Sequence, residues 1–293
     1  MEDSVLTLVI LPIALFIIML GMGLSLVVDD FKRIALYPKA TLIGLTNQLI
    51  LLPIIAFSII TLLNLPPMVA VGFMLLAACP GGTTSNLITF VSRGDTALSI
   101  TLTAISSFVS VVTIPFIVSS ALDYFVGTAQ TIELPVLKTI IQILAITVFP
   151  VSIGMAIRRF SPDFAERMDK PMRTFSTVTF LLILLSIIAT NLETIQRYLL
   201  EFGGVSLLLN ILTMALGFFS AKFFKLNVPQ SVSISIESGI QNSTLAIVIA
   251  TNILLQSDLA LPAAIYGLTM FLPGGFMMWY FGRKKRAPQK ALN

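Results

Sequence analysis

Long apolar runs joined by short polar connections make up most of the chain. Nine of these runs are long enough to cross a hydrocarbon core of ~30 Å as helices. We number them spans one to nine, and they cover residues 4–27, 40–63, 68–91, 96–120, 135–157, 174–191, 203–221, 229–256 and 259–281. Turn residues mark the connections, of which 158–173 is the longest polar one. The pattern predicts an all-α polytopic membrane protein.

Composition supports a lipid environment and argues against several classes of function. Of the 293 residues, 56% are hydrophobic and 11% are charged, which is more apolar surface than a soluble domain can bury. The net charge of +4 comes from turns between apolar runs, so it indicates membrane orientation and no nucleic-acid partner. The absence of histidine argues against zinc or haem chemistry, and the single cysteine, Cys79, excludes an intramolecular disulfide.

The basic residues predict how the chain is oriented, because short loops rich in Lys and Arg remain in the cytoplasm. With the N-terminus outside and nine crossings, all 18 Lys and Arg residues except Lys138 and Arg197 lie on the side of the C-terminus. We therefore expect an outside N-terminus and a cytoplasmic C-terminal tail, 282–293. Compact loops and the lack of a cleavable signal peptide favour a plasma membrane, in particular a bacterial inner membrane.

Spans three and eight each contain a polar interruption, at residues 79–86 and 237–244. Backbone leaves a helix at membrane depth only where protein or a water-filled cavity satisfies its polar groups. Two broken helices that border one cavity are therefore expected, although each interruption alone would also suit a surface loop. Spans one to four and six to nine place a break in their third helix and enter from opposite sides, which predicts an inverted repeat. The predicted hinge positions are Pro80, Gly81, Gly82 and Gly239.

Glu237 is the only one of the 14 acidic residues predicted near the middle of a span. An ionised carboxylate at that depth is costly, and no basic side chain is expected at the same level. Glu237 alone is thus either protonated and structural, or a ligand of a cation. Neighbouring in-span oxygens of the types that sodium prefers favour the cation. These oxygens belong to Gln48, Ser85, Asn86, Ser99, Thr103 and Gln241.

The breaks also predict an anion site. Each leaves a helix N-terminus whose unpaired N–H groups favour negative charge, and Thr83, Asn86 and Asn242 are candidate hydrogen-bond donors to a substrate anion. Ser99 and Thr103 are four residues apart and share a helix face, so both hydroxyls could point at the break in span three. The alternative for this pair is a hydrogen bond from each hydroxyl to its own helix.

The interrupted segments resemble the signature segments of the bile acid:sodium symporters. The resemblance rests on residues 79–82 with Ser85-Asn86, on Arg93-Gly94-Asp95, and on 237–243, and it extends over essentially the whole chain. It implies a core domain with two crossed, broken helices that moves against a panel domain. Carried onto this chain, the core would be 40–120 plus 203–281 and the panel 1–39 plus 135–191.

The resemblance further implies two bound sodium ions. The first site would comprise Ser85, Asn86, Ser99, Thr103 and Glu237. The second would comprise Gln48, Glu237 and Gln241, with backbone carbonyls near Ser238 and Ile240. Two features depart from the family pattern: bacterial members often have ten helices where nine spans are predicted here, and a histidine near the substrate has no counterpart in this chain.

The expected function is a symporter that imports an organic anion by alternating access, with two Na⁺ per substrate. A bile acid and a smaller carboxylate such as pantoate are equally compatible with the sequence. A proton-coupled carrier or exporter of the same fold is the main alternative. A channel is more distant, and so is an intramembrane enzyme, for which the chain shows no nucleophile–base pair in its spans.

Overall fold

The structure is a computed structural model that describes residues 9–127, 135–190 and 192–283. Apart from one isolated bridge, every regular element of these residues is helical. The α-helices are α1 (Leu11–Ser25), α2 (Val28–Leu36), α3 (Pro38–Thr46), α4 (Leu52–Leu62), α5 (Pro67–Ala78), α6 (Thr83–Val91), α7 (Thr96–Phe125), α8 (Val136–Ile143), α9 (Phe149–Phe160), α10 (Pro162–Thr190), α11 (Leu192–Phe223), α12 (Val228–Gly239), α13 (Ser243–Val248), α14 (Ala260–Thr269) and α15 (Phe271–Gly282). Short π-helical turns occupy Asn47–Leu51, Leu144–Val148 and Ile249–Ile253, and a 3-10 turn, Ser257–Leu259, precedes α14.

The helices are those of a polytopic membrane protein. Within the described ranges, five continuous helical segments are long and apolar enough to cross a membrane: Pro38–Leu62, Thr96–Phe125, Val136–Phe160, Gln196–Phe223 and Ser257–Gly282. Large apolar side chains also cover the outer surface, with Leu62 and Phe223 each 80% exposed. So much exposed apolar surface suits contact with lipid. The number of nine crossings stays a prediction.

Two predicted boundaries differ from the observed helices. Most of the polar connection expected at 158–173 is helical, since α9 continues to Phe160, α10 begins at Pro162, and Ser161 alone separates them. Proline is favoured at the first position of a helix, where its missing N–H has no partner to lose. α11 likewise begins well before the apolar run predicted at 203–221. Hydropathy detects only the apolar part of a helix, so the polar first turns of α10 and α11 fell outside the predicted spans.

Both predicted helix breaks are present. Residues 79–82 separate α5 from α6, and residues 240–242 separate α12 from α13. The two breaks lie against each other, where Gly81 and Gln241 form an isolated antiparallel bridge. The interruptions of spans three and eight are therefore broken helices, as the sequence pattern predicts, and the two helices cross, as the family resemblance implies.

Backbone groups freed by one break are satisfied by the other. The Gly82 N–H donates to the Ile240 carbonyl at 2.9 Å, and the Asn242 N–H donates to the Pro80 carbonyl at 2.9 Å. Non-helical backbone is tolerated at membrane depth only when such partners exist. The crossing is thus held by reciprocal main-chain hydrogen bonds that depend on the path of the backbone.

Packing around the crossing involves most of the chain. α1 packs chiefly against α9 and α10, whereas α11 packs against α12 and α14, and α7 contacts α5, α6 and α12. The core and panel boundaries, together with the inverted repeat, stay predictions. The first eight residues and nearly all of the predicted tail, 284–293, lie outside the described residues.

Candidate functional site

Glu237 lies at the centre of a polar cluster where α6, α7 and α12 meet, and its side chain is only 2% exposed. Ser85 Oγ donates to Glu237 Oε2 at 2.8 Å, and Ser99 Oγ donates to the same oxygen at 2.9 Å. Thr103 Oγ1 donates to the other oxygen, Oε1. Three neutral hydroxyls from two helices therefore converge on one buried carboxylate.

The cluster contains more oxygen acceptors than hydroxyl protons that could be donated to them. Ser99 Oγ lies 2.9 Å from Asn86 Oδ1 as well as beside Glu237, and Thr89 Oγ1 approaches it at 3.3 Å. A hydroxyl carries one proton, so Ser99 serves either Asn86 or Glu237 at any moment. An excess of oxygen lone pairs suits a hard cation. Sequence reasoning missed Thr89, which is fully buried here.

A glycine brings the first helix break into contact with the carboxylate. A Cβ atom built on Gly81 would overlap Glu237 Oε1 and would lie 2.9 Å from Glu237 Cδ. Essentially no real side chain makes so close a contact. A side chain at position 81 would therefore displace the Glu237 carboxylate, whereas the sequence pointed only to a flexible hinge.

A second group of polar atoms surrounds Gln48, which lies in the π-helical turn Asn47–Leu51. Gln48 Nε2 donates to Gln241 Oε1 at 2.7 Å and to the Cys79 carbonyl at 3.1 Å. Gln241 Nε2 donates to the Ser238 carbonyl at 2.9 Å. The structure thus brings together the two glutamines predicted for the second site and one of its two predicted carbonyl regions.

The remaining members of the predicted second site have other partners. The Ile240 carbonyl accepts the Gly82 N–H at the crossing. The Glu237 carboxylate bonds to the hydroxyls of the first group, and no hydrogen bond among the described residues joins it to Gln48 or Gln241. The carboxylate and the two glutamines therefore belong to separate hydrogen-bonded groups, and the end of α12 connects them along the chain.

The candidate substrate residues are only partly brought together. Thr83 and Asn242 line a cavity of about 30 Å³ at the crossing, and Ile18 and Met270 also line it. That volume suits one water molecule, so an organic anion needs a rearranged site. Asn242 Oδ1 caps α13 by accepting a backbone N–H, which leaves its amide NH₂ group as the donor for a ligand. Asn86 faces Ser99 instead of this cavity.

Comparison with known proteins identifies the family. A sequence profile of the sodium bile acid symporter family matches residues 12–197. A Bacillus subtilis (strain 168) protein named "Uncharacterized sodium-dependent transporter YocS" is 32% identical over 286 residues, which is 97% of this chain and 87% of that protein. The chain belongs to the sodium bile acid symporter family. As a member of it, the chain is a sodium-coupled membrane transporter and not an enzyme.

Other relatives in the sodium bile acid symporter family share less of their length with this chain. The Arabidopsis thaliana "Probable sodium/metabolite cotransporter BASS1, chloroplastic" is 31% identical over 253 residues, or 86% of this chain and 62% of that protein. The rat "Sodium/bile acid cotransporter 5" is 29% identical over 212 residues, or 72% of this chain and 48% of that protein. These names refer to different substrates, so family membership does not identify the substrate of this chain.

Two buried side chains at the second break were not predicted from the sequence of this family member. Asn210 on α11 and Tyr266 on α14 both bond to the Gly239 carbonyl, and both are fully buried. Asn210 stands in an otherwise apolar run, and a polar residue in a span is a signal for function. Tyr266 gives no comparable signal, since an aromatic ring is common in any apolar helix.

Proposed function

We propose that this protein is a sodium symporter that imports an organic anion by alternating access, with two sodium ions per substrate molecule. The observation that carries the proposal is Glu237, a buried carboxylate whose hydrogen bonds all come from neutral hydroxyls. A buried charge needs a compensating charge, and no cationic side chain of the described residues bonds to this one. A sodium ion supplies that charge.

The first sodium ion is proposed to bind among the oxygens around the carboxylate. Its ligands are Ser85, Asn86, Ser99, Thr103 and Glu237, drawn from α6, α7 and α12. Asn86 Oδ1 and Glu237 Oε2 both face the hydroxyl of Ser99, so a cation between these oxygens relieves the competition for one proton. Sodium, as a hard cation, prefers such carboxylate, hydroxyl and amide oxygens.

The second ion is proposed to bind between Gln48 and Gln241, with Glu237 and the carbonyls near Ser238 and Ile240 completing its ligands. In the observed arrangement each glutamine uses its NH₂ group as a donor, as it would without an ion. A half-turn of each amide about its terminal torsion presents oxygen instead of nitrogen. Sodium binding would thus replace the Gln48–Gln241 hydrogen bond by a shared ion.

The anion is proposed to bind next to the two ions, on the side of the crossing where Thr83 and Asn242 line the small cavity. The N-terminus of α6 directs unpaired N–H groups to this side, which favours a carboxylate. Motion of the predicted core, 40–120 plus 203–281, against the predicted panel would widen the cavity. Bile acids and smaller carboxylates such as pantoate are the substrate classes to compare.

Charge explains why the three ligands would move together. Two sodium ions, one glutamate and one monoanion sum to zero, whereas a partly loaded site keeps a charge that is costly to occlude in the membrane. The cycle would then couple uptake to the sodium gradient. We propose a bacterial inner membrane as its location because its loops are compact. The distribution of its basic residues supports an N-terminus outside and a C-terminus in the cytoplasm.

Thermal unfolding of the purified protein tests this assignment. Sodium is expected to stabilise the wild type relative to equal potassium or choline, by roughly 2.7 kcal/mol per site at 100 times its dissociation constant. Glu237→Gln should lose this response, because it removes the charge and keeps the shape. Glu201→Gln is the matched control, since Glu201 is exposed and pairs with Arg197 far from the site.

The same experiment separates the proton-coupled alternative. If sodium leaves the wild type unchanged, while lower pH stabilises it and Glu237→Gln is already stable at neutral pH, the carboxylate binds a proton and the sodium proposal fails. If sodium stabilises wild type and Glu237→Gln equally, the ions bind elsewhere. Saturating sodium with candidate anions, added one at a time, then identifies the substrate class by a further rise in melting temperature.

A further inference from the structure

The second helix break frees a carbonyl that the crossing does not use. In a continuous helix the Gly239 carbonyl would accept the N–H of Ser243, but the Ser243 N–H donates to the Gln241 carbonyl instead. The neighbouring carbonyls of Ser238 and Ile240 find partners at the crossing. The Gly239 carbonyl therefore needs a partner from another element.

Two side chains supply that partner from two different helices. Asn210 Nδ2 on α11 donates to the Gly239 carbonyl at 2.7 Å, and the Tyr266 hydroxyl on α14 donates to it at 2.8 Å. Asn210 Nδ2 also donates to the Tyr266 oxygen at 3.0 Å. Both side chains are fully buried. The three groups form a closed triangle around one carbonyl at the edge of the proposed second sodium site.

The Asn210 amide is oriented so that its NH₂ group, and not its oxygen, faces the Gly239 carbonyl. Its Oδ1 atom is buried and has no hydrogen-bond partner, while its NH₂ group makes both bonds of the triangle. A buried acceptor without a partner is unfavourable. Rotating the amide by a half-turn would exchange Oδ1 and the NH₂ group, but it would also break the hydrogen bond to the Gly239 carbonyl. The observed orientation keeps the bond to the helix break.

We propose that Asn210 and Tyr266 are positioning residues for the second sodium ion, which rests on the two-sodium mechanism proposed above. Together they fix the peptide unit that joins Gly239 to Ile240. The carbonyls of Ser238 and Ile240 belong to the peptide units on either side, so their directions depend on the same backbone torsions. When the Gly239 carbonyl is held away from the second sodium site, the carbonyls of Ser238 and Ile240 stay directed toward that site.

The same peptide unit has one other hydrogen bond, which its N–H, that of Ile240, donates to the Ile236 carbonyl at 2.8 Å in the last turn of α12. Gly239 has no side chain, and a Cβ atom there would overlap the flexible side chain of Met214. A glycine peptide flips easily, because both of its torsions reach conformations closed to other residues. Without the triangle, the Ile240–Ile236 bond is the remaining restraint on this peptide unit among the bonds described here. We therefore expect the direction of the Gly239 carbonyl to vary more widely, which lowers the affinity of the ion without unfolding the protein.

The same two helices provide a matched control. Ser206 and Thr269 join α11 to α14 through a hydroxyl–hydroxyl bond of 2.9 Å, about one turn from the Asn210–Tyr266 pair. Both are buried, but neither bonds to α12 or to the break. Replacing this pair removes a contact of similar kind between the same helices and leaves the Gly239 carbonyl with its two donors.

Sodium titration of thermal stability tests the positioning role in the full chain. Tyr266→Phe keeps the ring and removes the hydroxyl, and Asn210→Ser shortens the other donor as a second, independent variant. Each is expected to raise the midpoint of the sodium titration at least fivefold and to reduce its Hill coefficient from near two to near one. Thr269→Val should lower the melting temperature in choline by a similar amount, with a sodium midpoint within twofold of wild type.

The possible results distinguish this role from the underlying mechanism. If Tyr266→Phe and Thr269→Val shift the sodium midpoint equally, the triangle is ordinary packing and the positioning role is wrong. The same conclusion follows if both donor variants keep the wild-type midpoint and Hill coefficient. A wild type that shows no sodium response at all would instead remove the two-sodium mechanism, and the positioning role with it.

Discussion

At the scale of single residues, the absence of a side chain at Gly81 leaves room for the buried carboxylate. Gly81 has no Cβ atom, and Glu237 Oε1 occupies the place where one would be. Gly81→Ala is therefore expected to push the carboxylate away from Thr103 and Ser99. We expect at least a tenfold rise in the sodium midpoint, measured by thermal stability in a sodium titration.

Gly204→Ala is the control for that substitution, since a Cβ atom there meets nothing within 4 Å. Alanine is the better helix former, so this change should leave stability equal or slightly higher and the sodium midpoint unchanged. A normal sodium response in Gly81→Ala would mean that the carboxylate does not hold an ion in the observed position.

The sequence identified most of the residues now found around Glu237, and the reason is physical. A carboxylate and several hydroxyls within apolar runs are costly and therefore conspicuous. Thr89 was missed because a single hydroxyl in a helix often bonds to the backbone of that helix. Tyr266 was missed because an aromatic ring is common in any apolar helix. The sequence also gave no sign that the candidate ligands form two separate hydrogen-bonded groups, because the grouping depends on the orientation of each side chain in the folded protein.

At the scale of elements, a π-helical turn places two adjacent amides in different environments. Asn47 Nδ2 bonds to the Ile43 carbonyl at 2.7 Å and to Ser220 Oγ on α11 at 2.9 Å, whereas Gln48 faces the crossing. A π turn inserts one extra residue into a helix, and such turns often occur at functional sites. Here it is associated with two neighbouring side chains that have separate roles.

Substitution of these neighbours should separate stability from ion binding. Asn47→Ala removes a buried contact to α11 and is expected to lower stability by about 1–3 kcal/mol, equally in sodium and choline. Gln48→Ala should also destabilise, but in addition it should reduce the Hill coefficient for sodium toward one. Denaturation in both salts measures the two effects. A sodium defect in Asn47→Ala as large as in Gln48→Ala would contradict separate roles.

The helix breaks were predictable from the local sequence pattern, whereas their crossing was expected only from the family resemblance. Pro80 and the glycines cannot continue a helix well, so polar runs that contain them indicate where the helix stops. The pairing of Gly81 with Gln241 joins residues that are far apart in the chain, and no local pattern encodes it. The start of α10 at Pro162 was also hidden, because its first turns are polar and resemble a loop.

At the scale of the whole molecule, the described residues surround a polar crossing with an apolar exterior. Among the described helices, α7 and α12 carry the most buried polar residues, while the exposed residues of the long helices include many large apolar side chains. Composition predicted this arrangement, because a chain with 56% hydrophobic residues needs lipid as its solvent. The relative motion of core and panel leaves no pattern in a single sequence, since both states share the same residues.

The proposed stoichiometry predicts an electrical consequence for the complete transporter. Two sodium ions with one monoanion carry one net positive charge inward in each cycle. A membrane potential of 100 mV, negative inside, contributes roughly 2.3 kcal/mol to that movement. Because 1.4 kcal/mol is about a tenfold change in an equilibrium constant, this potential should raise the limiting accumulation of substrate by roughly 50-fold.

Proteoliposomes with a fixed sodium gradient allow the measurement, with the potential set by potassium and valinomycin and with Glu237→Gln as the inactive control. Uptake that follows the potential as calculated supports two sodium ions per anion. Uptake that is independent of the potential would mean that the charges cancel. For a monoanionic substrate this indicates one sodium ion, and the Gln48–Gln241 group would then have only a structural role, whereas for a dianion it indicates two sodium ions. A response of the opposite sign would require more anionic than cationic charge per cycle, as with a tricarboxylate and two sodium ions or a dicarboxylate and one.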